Sequence, residues 1–283
     1  DLLAAINGSP TQGFGYTTLM TNNGKMVNRG VEITLSGEII RQKDFSWNAS
    51  LLYAFNRNKV KHISVQPSLW DSRISMPTSY PMVGKPLYGI YAYKWAGLNE
   101  NGDPQVYDAE NNVTSGPARD YHALVYCGTT VPIHNASLTN VLRYKGFEFS
   151  AMLILDAGHK LRSSNIPSIN MSNGRITSTA KGIVDRWTQP GDVTDVPRLL
   201  FSNDTENFNT HRTELYRYSD LFVYDASNIR LSNISLAYRV PAHWCKKISL
   251  SGARLQFNVE NVATFAFDSK ANYDLGGKVK PNY

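Results

Sequence analysis

Long segments of strict two-residue alternation constrain this chain more than any other feature of its sequence. Over residues 45–56, Phe45, Trp47, Ala49, Leu51, Tyr53 and Phe55 alternate with Ser46, Asn48, Ser50, Leu52, Ala54 and Asn56. Successive side chains of a strand point to opposite faces, so this pattern predicts one apolar and one polar face. Residues 31–39 repeat it, with Val31, Ile33, Leu35 and Ile39 set against Glu32, Thr34, Ser36 and Glu38. So do residues 137–144 and 147–156, where Phe147, Phe149, Ala151, Leu153 and Leu155 share a face, and residues 229–240 and 250–261. In the last segment Leu255, Phe257 and Val259 oppose Arg254, Gln256, Asn258 and Glu260. Gln42, Lys43 and Asp44 predict one tight hairpin, and Lys145 with Gly146 a second, glycine being the residue that takes positive φ without strain.

These six segments run to 8 or more residues, against roughly 5 to 6 in ordinary soluble strands and roughly 9 to 11 in a strand that crosses a bilayer at a tilt. Two architectures share the pattern. One is a membrane barrel with apolar side chains outward. The other is a soluble or surface-anchored β-rich carbohydrate-binding protein with apolar side chains in a dry core. Small and amide side chains on the polar faces (Ser46, Asn48, Ser50, Asn233) and aromatic residues near strand ends (Trp47, Tyr53, Tyr144, Tyr238) favour the barrel. So do two long, Pro-, Gly- and Asn-rich segments, residues 57–136 and 157–216, which far exceed a typical connection. The turns at 40–44, 145–146 and 241–249 are shared provisionally between the two ends of the sheet.

Composition excludes several functions. No run approaches eighteen apolar residues, so no membrane-spanning helix is expected, a test to which barrels are blind. The 29 Lys or Arg against 23 Asp or Glu give +6, spread thinly, and argue against a nucleic-acid partner. The two cysteines, Cys127 and Cys245, form no metal-binding motif, and one long-range disulfide between them stays open. No nucleophile elbow, phosphate loop or HExxH spacing is present, so neither an enzyme nor a cofactor is expected. Asn99, Asn101 and Asp103 alternate like the start of a calcium loop, but position 112 is Asn where the bidentate Glu belongs; an Asx turn before Pro104 is the expectation. Asp225 and Arg230 are read as organising the start of a strand.

Several blocks in order resemble the carboxy-terminal part of the barrel of SusC/RagA-type TonB-dependent outer-membrane transporters. They are NGKMVNRGVEI at 23–33, VGKPLYGI at 83–90, AGLNENGDPQ at 96–105, SLTNVLRYKG at 137–146, RWTQPGD at 186–192, DASNIRLSNISL at 225–236 and VEN at 259–261. The resemblance implies an all-β fold: an antiparallel transmembrane segment, part of a 22-stranded barrel, with long extracellular loops and short periplasmic turns in the bacterial outer membrane. Residues 1–283 would be the carboxy-terminal portion, the plug domain and a final strand being expected outside them. The implied partners are the remaining barrel and plug, a SusD-like surface lipoprotein, TonB acting through the amino-terminal region, and an oligosaccharide or peptide ligand. Trp70, Tyr80, Tyr88, Tyr91, Tyr93, Trp95 and Trp187 are the candidate ligand or lid contacts. Trp47, Leu153, Leu236 and Phe257 are the side chains expected to face lipid.

Overall fold

In the computed structural model the described residues are 2–7, 18–64, 72–116, 120–171, 180–201, 210–272 and 274–275. They fall into two compact units, the first built from residues 1–28, 58–130 and 160–224 and the second from 29–57, 131–159 and 225–283. Seven strands make one antiparallel sheet: β1 (Leu2–Asn7), β2 (Thr18–Arg41), β3 (Phe45–Ile63), β4 (His134–Tyr144), β5 (Phe147–Ala157), β6 (Asn228–Arg239) and β7 (Arg254–Ala266). Each neighbours the next in that order. Six of them carry the alternating segments.

The register of the second unit aligns the alternation into rows. Phe45, Tyr144, Phe147, Tyr238 and Leu255 lie side by side on β3 to β7. Two residues further along come Trp47, Leu142, Phe149, Leu236 and Phe257, and then Leu51, Leu138, Leu153 and Leu231. Ser36 on β2 shares a hydrogen bond of 2.7 Å with Ser50 of the polar face, which puts Val31, Ile33, Leu35 and Ile39 on the same face as these rows. Many of these side chains are exposed, Leu35 to 61%, Leu236 to 47% and Phe257 to 67%, while Trp47, Leu138 and Leu142 are half-buried. The opposite face is polar, with Glu148 of β5 accepting from Arg143 on β4 at 2.7 Å and from Arg254 on β7 at 3.0 Å.

Aromatic side chains bracket the apolar band. The row at the tight-turn end holds Phe45, Tyr144, Phe147 and Tyr238, while Tyr53 and Phe55 on β3 mark the other end beside His134. Phe45 and Phe55 are ten residues apart, or ~33 Å along a strand; at a tilt of ~40° this is about 25 Å of height, the apolar band of an outer-membrane barrel. Asn140 lies inside the band opposite Ala49 and Ala151, where the Trp47 indole N–H donates to its side-chain oxygen at 3.1 Å. Trp47→Phe should therefore cost about 1–3 kcal/mol by orphaning that amide. Adding Asn140→Leu should recover most of the loss, a coupling that a double-mutant cycle on urea unfolding in micelles reads directly.

Three expectations are corrected here. The turns are not divided between the ends: Phe45 faces Tyr144, Phe147 faces both Tyr144 and Tyr238, and Tyr238 faces Leu255, so all three short connections close the same end of the sheet. The long connections leave from the other. At the second hairpin it is Lys145, not Gly146, that adopts positive φ (51°). Glycine at 146 answers a close approach instead, since a Cβ there would stand 3.1 Å from the Arg239 carbonyl oxygen, the same strand end whose N–H bonds Gly146. Finally, residues 250–253 are not strand. The helix Ala242–Lys247 lengthens that connection, and β7 starts at Arg254.

The alternation also changes phase within β6. Ile229 and Leu231 are odd, whereas Ile234, Leu236 and Tyr238 are even, yet all join one face. Pairing skips Ser232 between β5 and β6, and two residues of β7 oppose that same position, so a bulge absorbs the change. Among the described residues the sheet does not close on itself: β1 and β7 are its edges.

Candidate functional site

The long connections, expected to be irregular, fold into a unit with its own core. Gly89–Tyr93 pairs with Leu124–Thr129, Trp95–Leu98 with Pro104–Tyr107, and Asn170–Met171 runs parallel to Leu200–Phe201. Tyr91, Tyr93, Val106, Ala123, Leu124 and Leu215 form one buried cluster, and Ile169, Tyr216 and Phe222 another. The strands are too short for their alternation to be read in sequence.

An ion cluster ties distant parts of this unit together. The Asp103 carboxylate accepts from both Nε and Nη2 of Arg198, at 3.1 and 2.8 Å, and from Nε of Arg212 at 3.1 Å. Arg212 is 3% exposed on its side chain. It also donates to the carbonyl oxygens of Ile169 and Arg198 and to Asn170 Oδ1, at 2.7–3.1 Å. Burial pulls this guanidinium below its ordinary range and Asp103 pushes it back. The Asn99 side chain accepts from the N–H groups of Asn101 and Asp103, both at 2.9 Å, the Asx turn expected at this position. Among the described residues no group of three His, Cys, Asp or Glu side chains is placed to hold a metal.

The seven candidate contact residues do not act alike. Trp70 lies outside the described residues. Tyr91 and Tyr93 are 1% exposed, so their rings build the core and have no surface to offer a ligand. Trp95 is half-buried, its N–H bonded to Asp220 at 2.9 Å and its indole N–H to Asp195 at 3.0 Å. Tyr80 is half-buried and Tyr88 exposed. Trp187 lines a surface recess of ≈ 410 Å³ with Asn99, Glu100 and Gly191. Its ring lies on Gly102, where an added Cβ would be 2.4 Å from the indole and φ is +74°. In the adjoining turn Asp192 accepts from the N–H groups of Thr188 and Gln189 and from the Thr188 hydroxyl, which together hold its carboxyl below the usual range.

Asp225 and Arg230 do sit at the strand start, and the open question of the two cysteines is answered. Arg230 lies 3.8 Å from Asp156, while Asp225 accepts from the Ser227 N–H at 2.8 Å, so the two residues organise neighbouring parts of the strand start separately. Cys127 and Cys245 are both free thiols. Burial, with Asp220 adding to it, pushes the Cys127 thiol from about 9 up to about 11. The thiolate is the reacting species, so alkylation of Cys127 at pH 8 should run about 100-fold slower than for an ordinary thiol of pKa 9 and keep rising beyond pH 10. Mass spectrometry of iodoacetamide-treated protein measures it.

No family model matches the chain. It is 25% identical over 280 residues to TonB-dependent receptor P3 of Formosa agariphila, covering 92% of this chain and 26% of that protein. To TonB-dependent receptor SusC of Bacteroides thetaiotaomicron it is 22% identical, over 88% of this chain and 24% of the relative. Its fold matches the structure of the RagAB peptide importer in the closed-closed state with a TM-score of 0.70, at 20% identity, over 98% of this chain and 30% of that one. The open-open state gives a TM-score of 0.69 over 98% and 29% of the two chains, again at 20% identity. The chain thus spans about a quarter of the length of the curated relatives it matches. Over that span it is similar in sequence to TonB-dependent receptors and in fold to the RagAB importer.

Proposed function

We propose that this chain supplies barrel wall and extracellular loops to an active, TonB-dependent importer in the bacterial outer membrane. The observation that carries the reading is the row-by-row alignment of apolar side chains, many of them exposed, on one face of β2 to β7, with Phe45 and Phe55 marking its two ends ten positions apart on β3. The connections 42–44, 145–146 and 240–253 lie at one end and the two longest, 64–133 and 158–227, at the other, which supports it further, since outer-membrane barrels have short periplasmic turns and long extracellular loops. Trp47, Leu153, Leu236 and Phe257 then face hydrocarbon. The edges of the sheet pair with further strands of a 22-stranded barrel, because unpaired backbone groups in lipid cost several kcal/mol each.

In this reading the work of the protein is capture and release rather than bond chemistry. A SusD-like lipoprotein closes over the loops, ligand is held between them, and TonB pulls on the plug to open a path. The imported ligand is an oligosaccharide or oligopeptide, with Trp187, Tyr88 and Tyr80 as the reachable aromatic contacts among those named. Membrane extraction tests the first step: the full-length protein should need detergent and migrate faster in gels unheated than heated. Recovery in detergent-free buffer would instead favour a soluble binding module. Uptake of ligand that persists unchanged in a strain lacking TonB would overturn the second step.

A further inference from the structure

A recess of ≈ 480 Å³ in the first unit is bordered by residues 162–168 and the end of the helix Thr210–Arg217. Two guanidinium groups stand at it. Arg162 and Arg217 approach the same Tyr218 ring, at 5.6 and 5.8 Å from its centroid. Among the described residues neither arginine belongs to an ion pair. Arg162 donates to three uncharged acceptors, the carbonyl oxygens of Tyr91 (2.6 Å), Ser219 (3.3 Å) and Arg217 (3.4 Å). Asp220 acts on it only at a distance, and its Oδ1 accepts from the Trp95 N–H. Burial pulls Arg162 down from its ordinary range, with Arg217 adding to it and Cys127, Tyr218 and Asp220 acting the other way. The contrast with Arg198 and Arg212, which share a carboxylate, is direct.

Among the described residues no Asp or Glu lines the recess. Its polar wall is formed by hydroxyl-bearing residues, Ser164 and Thr213 among them, and Ile166 and Pro167 supply an apolar one. Two guanidinium groups at one concavity of ligand size, with no anion beside them among the described residues, fit a carboxylate, whose paired oxygens match the guanidinium fork. We infer that this recess seats a carboxylate group of the imported ligand, supplied by a peptide carboxy-terminus or a uronic acid. Concavity favours a ligand group over a docked protein surface. The inference rests on the importer reading and narrows its ligand class.

Calorimetry on the full-length transporter in detergent tests it with two matched pairs, tetra-alanine against its amide and trigalacturonate against its methyl ester. At least one acid should bind about tenfold more tightly than its neutral partner, and that preference should vanish in Arg217→Gln and return in part in Arg217→Lys. The pair that discriminates identifies the source. Arg217 is exposed and bonded through no side-chain donor among the described residues, so Arg217→Gln should keep the heat-modifiable gel shift. Equal binding of acid and neutral forms, absence of binding by either acid, or an acid preference untouched by Arg217→Gln would overturn the inference. So would a variant that loses only its affinity for the surface lipoprotein. Each of these results leaves TonB-dependent uptake, measured separately, intact.

Discussion

Arginine in place of Leu153 should remove most of the folded protein from the outer membrane. Leu153 stands in the row Leu51, Leu138, Leu153 and Leu231, in the middle of the band between the aromatic rows. A cation there costs roughly 2–4 kcal/mol if the face meets hydrocarbon, a large share of a folding free energy of about 5–15 kcal/mol. The neighbouring Met152 belongs to the other face, opposite Thr139 and Asn233, so Met152→Arg should assemble close to normally. Heat-modifiable protein in outer-membrane fractions distinguishes the two. Equal assembly of both variants would remove the assignment of faces.

Asp103→Asn should loosen the loop unit while leaving the wall intact. The substitution keeps the shape and deletes the charge between Arg198 and Arg212, leaving Arg212 buried without its counter-ion. Breaking one partner of a buried pair costs about 3–5 kcal/mol. We expect amide exchange in residues 105–107 and at Asn170 and Leu200 to accelerate by about two orders of magnitude in the full-length transporter. Exchange in β4 and β5 should not change. Asp192→Asn, whose carboxylate only caps the exposed turn at Thr188 and Gln189, should act within that turn alone. A local effect of Asp103→Asn, confined in the same way, would show that the cluster does not hold the unit together.

The wall was legible in the sequence because its strands are long and half apolar: a two-residue period over 8 or more positions leaves little else for residues 45–56 or 147–156 to form. Where the period broke, sequence reading broke with it. The bulge at Ser232 appears only as a change of phase between Leu231 and Ile234, a signal that was present and missed. The extension of β3 to Ile63 carries charged residues at alternate positions; it lies beside the 24-residue β2, and Val60 also bonds Gly84 and Lys85. The loop unit was opaque for a different reason. Its core joins strands of 2–6 residues, and its ion cluster joins Asp103 to Arg212 across 109 positions. No local pattern encodes such contacts. The aromatic run from Tyr88 to Trp95 offered surface and core roles alike, and burial assigns Tyr91 and Tyr93 to the core.

The most direct test of the central claim, that one face of this sheet meets hydrocarbon and the other water, is a scan of single spin labels along β5 in the full-length protein reconstituted in lipid bilayers. Collisions with dissolved oxygen should peak at positions 149, 151, 153 and 155, and collisions with a water-soluble nickel chelate at 148, 150, 152 and 154. Nickel access at the odd positions, or exclusion of both reagents from them as in a dry protein core, would contradict the account.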